Sequence, residues 1–507
     1  MGKRMQEIER KYESEGPVEA PDLAGLPGVA GVRELEPAKL DALYFDTADL
    51  RLAVRRITLR RRTGGDDAGW HLKLPADGAD TRTEVHAPLG KGARAVPAEL
   101  ADEVAVFTRG HALIPVVRIK NDRRRVHLVD DDGSPLAEIA YDHVTAQVLL
   151  VQGSVTATAW NETEVELLGG KPKFLDAIEE RLADAGLHRS ASPSKLARAL
   201  GDRLAGAVRP PEPPGVLHSA GDTALAYLHA QVTAIAVYDP QVRRDEEDAV
   251  HQMRVSTRRL RSALKSFGRQ LDRAVTDPVG DELKWLAGVL GVERDREVLA
   301  ERIAARLAGL PPELATDDVR RRLLGTLAAA HPEAREELLR ELNGTRYFTL
   351  LDRLDALLAD PPLRGAAKAP ARKAVAKVVR RDHRRLGRRM ATALAIDPGR
   401  ERDVALHDAR KAAKRARYSS EAARPVLGKP AQKHTRRMKS IAQLLGEHQD
   451  SVICRQAIVG VAVQAAASGE SQQAYEALVQ AERKIAADVE ARLPKAWSKA
   501  NRGKLAG

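Results

Sequence analysis

Near the start of the chain, Glu7-Ile8-Glu9-Arg10-Lys11 puts two carboxylates and an ammonium group at every second position. On a β-strand these three share one face, with Ile8, Arg10 and Tyr12 on the other, and same-face neighbours stand roughly 7 Å apart. Charges aimed into one enclosed space need counter-charges or a metal ion, because an unpaired buried charge is very costly. The same alternation returns in Arg60 and Arg62, in Arg123 and Arg125, and in Glu162, Glu164 and Glu166. Solvated faces of an open sheet would explain any one of these sets. A closed barrel with a charged interior explains them together. Its acids would gather a hard divalent cation and its bases would hold phosphate oxygens.

Such faces require strands, and the alternation supplies them at 43–47, 57–62, 70–74, 82–85, 115–128, 136–149 and 162–167. The 115–128 and 136–149 segments flank the turn signal Asp131-Asp132-Gly133. Residues 174–185 read as a helix packed on the outside of the sheet.

Over about residues 5–205 these features resemble the CYTH domain, the triphosphate tunnel metalloenzyme family. The resemblance rests on Glu7-x-Glu9-x-Lys11, Tyr44-Phe45-Asp46-Thr47, Leu59-Arg60-Arg61-Arg62, Trp70-x-x-Lys73, Arg82-x-Glu84, Asp142, the three late glutamates and Ser194-Lys195. It implies an eight-stranded antiparallel β tunnel with Mg2+ or Mn2+ on a carboxylate cluster and a triphosphate chain on basic residues. Carried over by position, it implies Glu7, Glu9, Glu162, Glu164 and Glu166 as candidate metal ligands; which of the late glutamates serve stays open. It implies Lys11, Arg60, Arg62, Lys73, Arg82, Arg123, Arg125 and Lys195 as triphosphate ligands, the register near residues 118–125 being open by a residue or two. Glu7, Glu9 and Lys11 form the implied catalytic centre. Lys11, beside two glutamates, is expected to stay protonated and to bind phosphate, not to act as a base.

Residues 206–216, containing Arg209-Pro210-Pro211-Glu212-Pro213-Pro214-Gly215, read as a stiff linker. It separates a domain at 1–205 from a second at 217–507, where Ala/Leu/Arg-rich helical patterns take over. There His251-x-x-Arg254-x-x-x-Arg258-Arg259-x-Arg261 recurs as His407-x-x-Arg410-x-x-x-Lys414-Arg415-x-Arg417, each position 156 residues on. Leu290-Gly291-x-x-x-Asp295 recurs as Leu445-Gly446-x-x-x-Asp450, 155 residues on. Two motifs at nearly one offset indicate a duplicated helical unit.

His251, Arg254, Arg258, Arg261 and Lys265 fall on one helix stripe, and Met253, Thr257, Leu260, Leu264 and Phe267 on the stripe toward the core. Like charges at i,i+4 repel, and no acid interrupts this stripe, so it calls for an anion. A further basic run at 368–389 contains Lys377, Arg380, Arg381, Arg384, Arg385 and Arg388, with Asp382 opposing.

This half resembles the CHAD domain, the conserved histidine α-helical domain. The resemblance implies two pseudo-symmetric four-helix units and a basic surface that binds inorganic polyphosphate. Implied contacts are His251, Arg254, Arg258, Arg259, Arg261 and Lys265 with their counterparts His407, Arg410, Lys411, Lys414, Arg415 and Arg417, together with Arg381, Arg384 and Arg388. The two histidines either touch phosphate or orient through a neighbouring helix, with Asp295 and Asp450 as candidate partners. Expected helices are 222–238, 248–267, 281–288 and 298–307, then 373–394, 404–423, 433–445 and 451 onward.

Composition sets the outer bounds. The chain has 507 residues, 43% hydrophobic, with formal charge +12 and pI about 9.7. That suits packed domains with anionic partners. Aromatic residues are only 3%, which disfavours a base-stacking single-strand binder. Cys454 is the one cysteine, so an internal disulfide and a cysteine metal cluster are excluded. No apolar run reaches the ~20 residues of a membrane span, and a soluble cytoplasmic protein is expected. The expected function is metal-dependent hydrolysis of inorganic triphosphate or short polyphosphate in the tunnel, with polyphosphate, and granules of it, held by the helices. Alternatives are a non-catalytic polyphosphate or granule protein, a tunnel enzyme for thiamine triphosphate or ATP, and nucleic-acid binding as a non-specific polyanion. No Gly-rich phosphate loop of the G-x-x-x-x-G-K-[ST] type is present.

Overall fold

A computed structural model describes residues 3–14, 21–78, 80–90, 95–150, 157–329 and 331–502. The chain divides into two compact units, Met1–Pro210 and Pro211–Gly507.

The first unit is built on strands β1 (Lys3–Glu13), β2 (Gly31–Glu34), β3 (Ala38–Asp46), β4 (Thr58–Thr63), β5 (Gly69–Pro75), β6 (Thr81–Ala87), β7 (Ile114–Val129), β8 (Pro135–Val148), β9 (Ala157–Leu167) and β10 (His188–Arg189). The order β1-β6-β5-β4-β3-β7-β8-β9 closes because β9 pairs back onto β1, giving an eight-stranded antiparallel barrel. β2 and β10 are short additions on β7 and β1.

Two of the apolar cores lie outside the barrel. Phe45, Leu59, Trp70, Leu72 and Val85 pack with Leu100 and Val104 of α1 (Ala98–Thr108). Tyr12, Leu128, Ile139 and Val165 pack with Leu175, Ile178 and Leu182 of α2 (Phe174–Asp184). Each fully buried leucine contributes about 2 kcal/mol, so the strands' outward faces hold the unit together and the inward faces are released for charge. Arg10, on the outward face of β1, ties α2 down through Asp176 at 2.7 Å and Glu179 at 2.8 Å.

A third cluster joins Leu196, Ala199 and Leu200 of α3 (Lys195–Leu200) to Ala42, Tyr44, Val117, Ile119, Val144 and Ala146. By alternation these strand residues share the faces of Leu40, Arg123 and Asp142. α3 therefore closes one end of the barrel, and α4 (Asp202–Ala205) follows it. Helix α1 and strand β2 were not expected from alternation.

The second unit is helical: α5 (Ala220–Arg243), α6 (Ala249–Ser266), α7 (Arg273–Ala308), α8 (Asp317–Ala329), α9 (His331–Leu342), α10 (Thr345–Ala359), α11 (Ala371–Ala395), α12 (Arg400–Ala422), α13 (Arg424–Leu427), α14 (Lys429–Ala467) and α15 (Gln473–Asn501). α5, α6, α7 and α10 pack as one four-helix group and α11, α12, α14 and α15 as the other. Ser219 and Asp222 form a capping box at the start of α5. α6 and α12 face each other across the repeat. Arg259 reaches Glu421 at 3.1 Å, and Arg415 reaches Ser266 Oγ at 3.2 Å.

Two helix expectations are corrected. The predicted pairs 281–288 with 298–307, and 433–445 with 451 onward, are the single helices α7 and α14. Glycine inside a helix costs only about 1 kcal/mol against alanine, less than the packing of a long helix returns. The motif glycines have another use, because Arg254 crosses α7 at Gly291 and Arg410 crosses α14 at Gly446. Among the described residues no helix is long and apolar enough to cross a membrane.

Candidate functional site: a charged tunnel and a basic cleft

The barrel interior is sorted by sign. Glu138 and Asp142 of β8, Glu162, Glu164 and Glu166 of β9, and Glu7 and Glu9 of β1 occupy three consecutive strands. Cross-strand register pairs Glu9 with Glu166 and Glu166 with Glu138. Arg82 of β6, Lys73 of β5, Arg60 and Arg62 of β4, and Arg123 and Arg125 of β7 bring the cations, with Glu84 of β6 and Leu40 and Tyr44 of β3 between them. They enclose a cavity of about 300 Å³.

The carboxylates differ in their counter-charge. Lys195, buried at the start of α3, places its ammonium 3.0 Å from both Asp142 and Glu162 and 2.7 Å from Glu164. Arg123 clasps Asp142 at 2.6–2.7 Å and reaches Glu164 at 2.6 Å. Lys11 contacts Glu164 and lies 3.5 Å from Glu9. Three cations therefore outweigh the burial of Glu164 and hold its carboxyl well below the usual range. Against its burial, Lys11 and Lys73 bring Glu9 down to about 2.

Glu166 and Glu7 go the other way. Burial, then the Glu7 charge, pushes Glu166 up to about 7. Burial, then the hydrogen bond with Glu84, pushes Glu7 up to about 7, although Lys73 stands 2.5 Å away. Glu7, Glu9, Glu166 and Glu138 thus form an all-oxygen set in which negative charge exceeds its neutralisation. That donor chemistry fits a hard divalent cation.

The basic wall is crowded in the mirror sense. Burial, with the charges of Arg60 and Arg123, lowers Arg62 to about 9. Asp67 at the mouth touches Arg62, but its side chain is 60% exposed. Water screens that pair, and the neighbouring arginines decide the shift. Nε of Arg60, Arg62 and Arg125 is buried with no hydrogen-bond partner among the described residues. Burial with Arg56 also lowers Arg82. Lys11 and Lys73 stay well above the ordinary lysine value despite their burial, because the glutamates surround them.

All the tunnel residues expected from the sequence face this interior or its walls; Glu162 sits behind Lys195, where Trp160 Nε1 also donates to it at 3.1 Å. Glu84, Glu138 and Arg56 were not singled out as ligands. Glu84 is two residues from Arg82, and Glu138 is two and four residues from Ala140 and Asp142, so period-two counting would have found both. Arg56 follows a 3-10 turn with φ 61°, which no alternation signals.

In the helical unit, cations of four helices converge on one cleft of about 570 Å³. Arg254, Arg258, Arg261 and Lys265 come from α6, Lys284 from α7, Arg385 and Arg389 from α11, and Lys411, Lys414 and Arg415 from α12. Burial, then Arg258 and Arg410, lowers Lys414 to about 6. Burial likewise leads the lowering of Arg258, Lys265 and Arg415.

The other expected contacts stand elsewhere. Arg259 and Arg417 both hold Glu421, at 3.1 and 2.7 Å. Arg381 contacts the Ser266 carbonyl. Arg384 and Arg388 are exposed on α11, next to the arginines that do line the cleft. Arg410 lies 3.5 Å from Asp450, as Arg254 meets Asp295 at 2.7 Å. The aspartates are thus taken by arginines. Neither histidine lines the cleft, and burial lowers both imidazoles. Lys284 and Arg389 were missed, because the sequence alone does not say which helices meet.

A barrel closed around acidic and basic walls, followed by duplicated helices around a basic cleft, defines a tunnel domain joined to a helical module. The family model of the CYTH domain matches residues 5–200, and that of the CHAD domain matches residues 226–459. Two uncharacterized proteins, MT2285 and Rv2226 of Mycobacterium tuberculosis, are each 38% identical over 491 residues, spanning 95% of this chain and 93% of theirs. Among solved structures, PptA from Streptomyces chartreusis aligns with TM-score 0.46 and 22% identity, over 55% of this chain and 99% of that one. The CHAD domain from the plant Ricinus communis aligns with TM-score 0.47 and 22% identity, over 59% and 98%. The chain belongs to the family of proteins that join a CYTH domain to a CHAD domain.

Proposed function

We propose that the tunnel hydrolyses a terminal phosphoanhydride of inorganic triphosphate or short polyphosphate with a divalent metal, and that the helical cleft binds polyphosphate. The observation that carries this reading is the pair of like-charge crowds in one cavity. Carboxylates pushed up to about 7 and an arginine pushed down to about 9 have too little opposite charge to offset their burial and their like-charged neighbours. A metal ion beside a linear phosphate anion supplies both.

Glu7, Glu9 and Glu166, with Glu138, would hold Mg2+ or Mn2+. The ion would polarise a phosphoryl oxygen and help place the attacking water. Arg60, Arg62, Arg82, Arg123 and Arg125 receive phosphate oxygens through planar donors that are already oriented and desolvated. Lys73, between Glu7, Glu9 and the basic wall, and Lys11, between Glu9 and Glu164, stay protonated and neutralise charge on the transferred group. Glu162, Glu164 and Asp142 fix Lys195, Lys11 and Arg123 in place. In the cleft, ten cations face one aspartate, Asp408, a charge balance suited to a polymer of phosphates.

The test is phosphate release from tripolyphosphate with Mg2+ or Mn2+ and with a chelator, run beside long polyphosphate, ATP and thiamine triphosphate. Metal-dependent release, fastest on tripolyphosphate, supports the reading. Release only from an organic triphosphate reassigns the substrate. No release from any of them leaves a binding protein.

A further inference from the structure

We infer that Asp403, His448 and Glu490 form a divalent transition-metal site in the second four-helix group, separate from the tunnel and from the basic cleft. The residues come from three helices: the first turn of α12, the middle of α14 and the C-terminal half of α15. His448 is buried, 1% exposed, and its Nε2 lies 3.4 Å from Asp403 Oδ1 and 3.1 Å from Glu490 Oε1. All three donor atoms fall within 4.8 Å of one another.

The geometry suits a cation better than a hydrogen bond. Donors about 2.1 Å from a common ion stand roughly 3.0 Å apart along an octahedral edge and about 3.4 Å along a tetrahedral one. The two measured edges fall in that range. A single Nε2–H can donate well to one carboxylate only, whereas a metal on the Nε2 lone pair satisfies both.

The carboxylates are also held as ligands usually are. Arg402 lies 3.1 Å from Glu490 Oε2, and Arg455 lies 3.5 Å from Asp403 Oδ2. Each arginine takes the oxygen that His448 does not face, which orients the other toward the shared point and offsets its charge. Asp403 and Glu490 line a cleft of about 900 Å³ with Arg402, Arg455, Arg400 and Arg483, while His448 is not among its lining residues. A bound ion would therefore have protein behind it and open positions in front, where water or an anionic oxygen could complete its shell.

The mixed donor set of one imidazole and two carboxylates favours Zn2+, Mn2+ or Fe2+ over the all-oxygen cations Mg2+ and Ca2+. The duplication does not demand this cluster. At the offset that relates Asp450 to Asp295, His448 corresponds to Glu293, so the first group has no imidazole there.

The experiment is a Zn2+ titration by calorimetry, with metal content measured after dialysis, on full-length chains that all carry Glu9→Gln. That shared change weakens any contribution from the tunnel, and the readout is a difference among chains, so it stands whatever the tunnel binds. The expected result is one Zn2+ site that His448→Gln or Glu490→Gln weakens by more than about tenfold. The same ion should raise the melting temperature of the parent more than that of the variants. Glu490, 15% exposed at its side chain, provides the milder variant should His448→Gln not fold. Equal Zn2+ binding in parent and variants, or no binding in the parent, overturns the site.

Discussion

Single side chains already separate the roles of the two tunnel walls. Arg62 is lowered to about 9 by burial and by Arg60 and Arg123, so it gains most from an arriving phosphate. Arg62→Ala is expected to raise KM for tripolyphosphate by about tenfold or more while the metal concentration for half-maximal rate stays put. A shift in metal dependence instead would place Arg62 with the acids. Lys414 gives a pH test of the cleft. Burial, with Arg258 and Arg410, brings it to about 6, so above that pH its amine is largely neutral until a polyanion restores the proton. Binding should then take up a proton, and affinity should fall as pH rises from about 6 toward the ordinary lysine value near 10.4, by at most about tenfold per pH unit. Calorimetry in two buffers of different ionisation enthalpy measures the uptake, and Lys414→Met should abolish it. At this scale the sequence was informative wherever period two or period 3.6 applied, as for Glu7, Glu9, Arg60 and Arg258. It could not rank Glu162, Glu164 and Glu166. Their difference lies in Lys195 and Arg123, which only the closed barrel brings near.

Elements explain what single residues do not. The strands that carry charge inward needed apolar residues outward, and the alternating pattern shows both at once. α1 and α8 to α10 escaped notice because they carry no repeated charged motif. The repeated Leu-Gly…Asp motif reads as a helix end in sequence, yet it is a crossing point. A Cβ on Gly291 would stand 3.0 Å from Arg254 Nη2, whereas one on Gly446 would stand 3.6 Å from Arg410 Nη2. Helix propensity alone favours alanine by about 1 kcal/mol at either place. Gly446→Ala should therefore stabilise the protein by about that amount. Gly291→Ala should gain less or nothing, because Arg254 must move off Asp295. Thermal melts of the two variants compare them directly, and equal gains would show that Arg254 is not held at its crossing.

At the scale of the whole chain, two units of unlike architecture each collect excess charge around a cavity. The change from β to helix at the proline-rich stretch was legible, because proline removes donors and fixes φ. Which arginines of 368–389 face the cleft was not, since Arg385 and Arg389 differ from Arg384 and Arg388 only by their turn around α11. A fragment starting after Gly215 should bind long polyphosphate without hydrolysing it. Its affinity should fall steeply with salt as counterions are released. Changing Arg258, Lys265, Lys411 and Lys414 to Ser should flatten that slope, as filter binding across a salt series would show. The proposed activity resides in the tunnel, and its most direct measurement is the rate of phosphate release from tripolyphosphate, with Mg2+ or Mn2+ supplied, by the whole chain and by its Glu9→Gln variant. The swap keeps the volume and removes the charge that a hard cation needs. Metal-dependent turnover in the parent and a loss of about a hundredfold or more in a folded variant are predicted. Equal turnover in the two chains would contradict the assignment of the carboxylate wall.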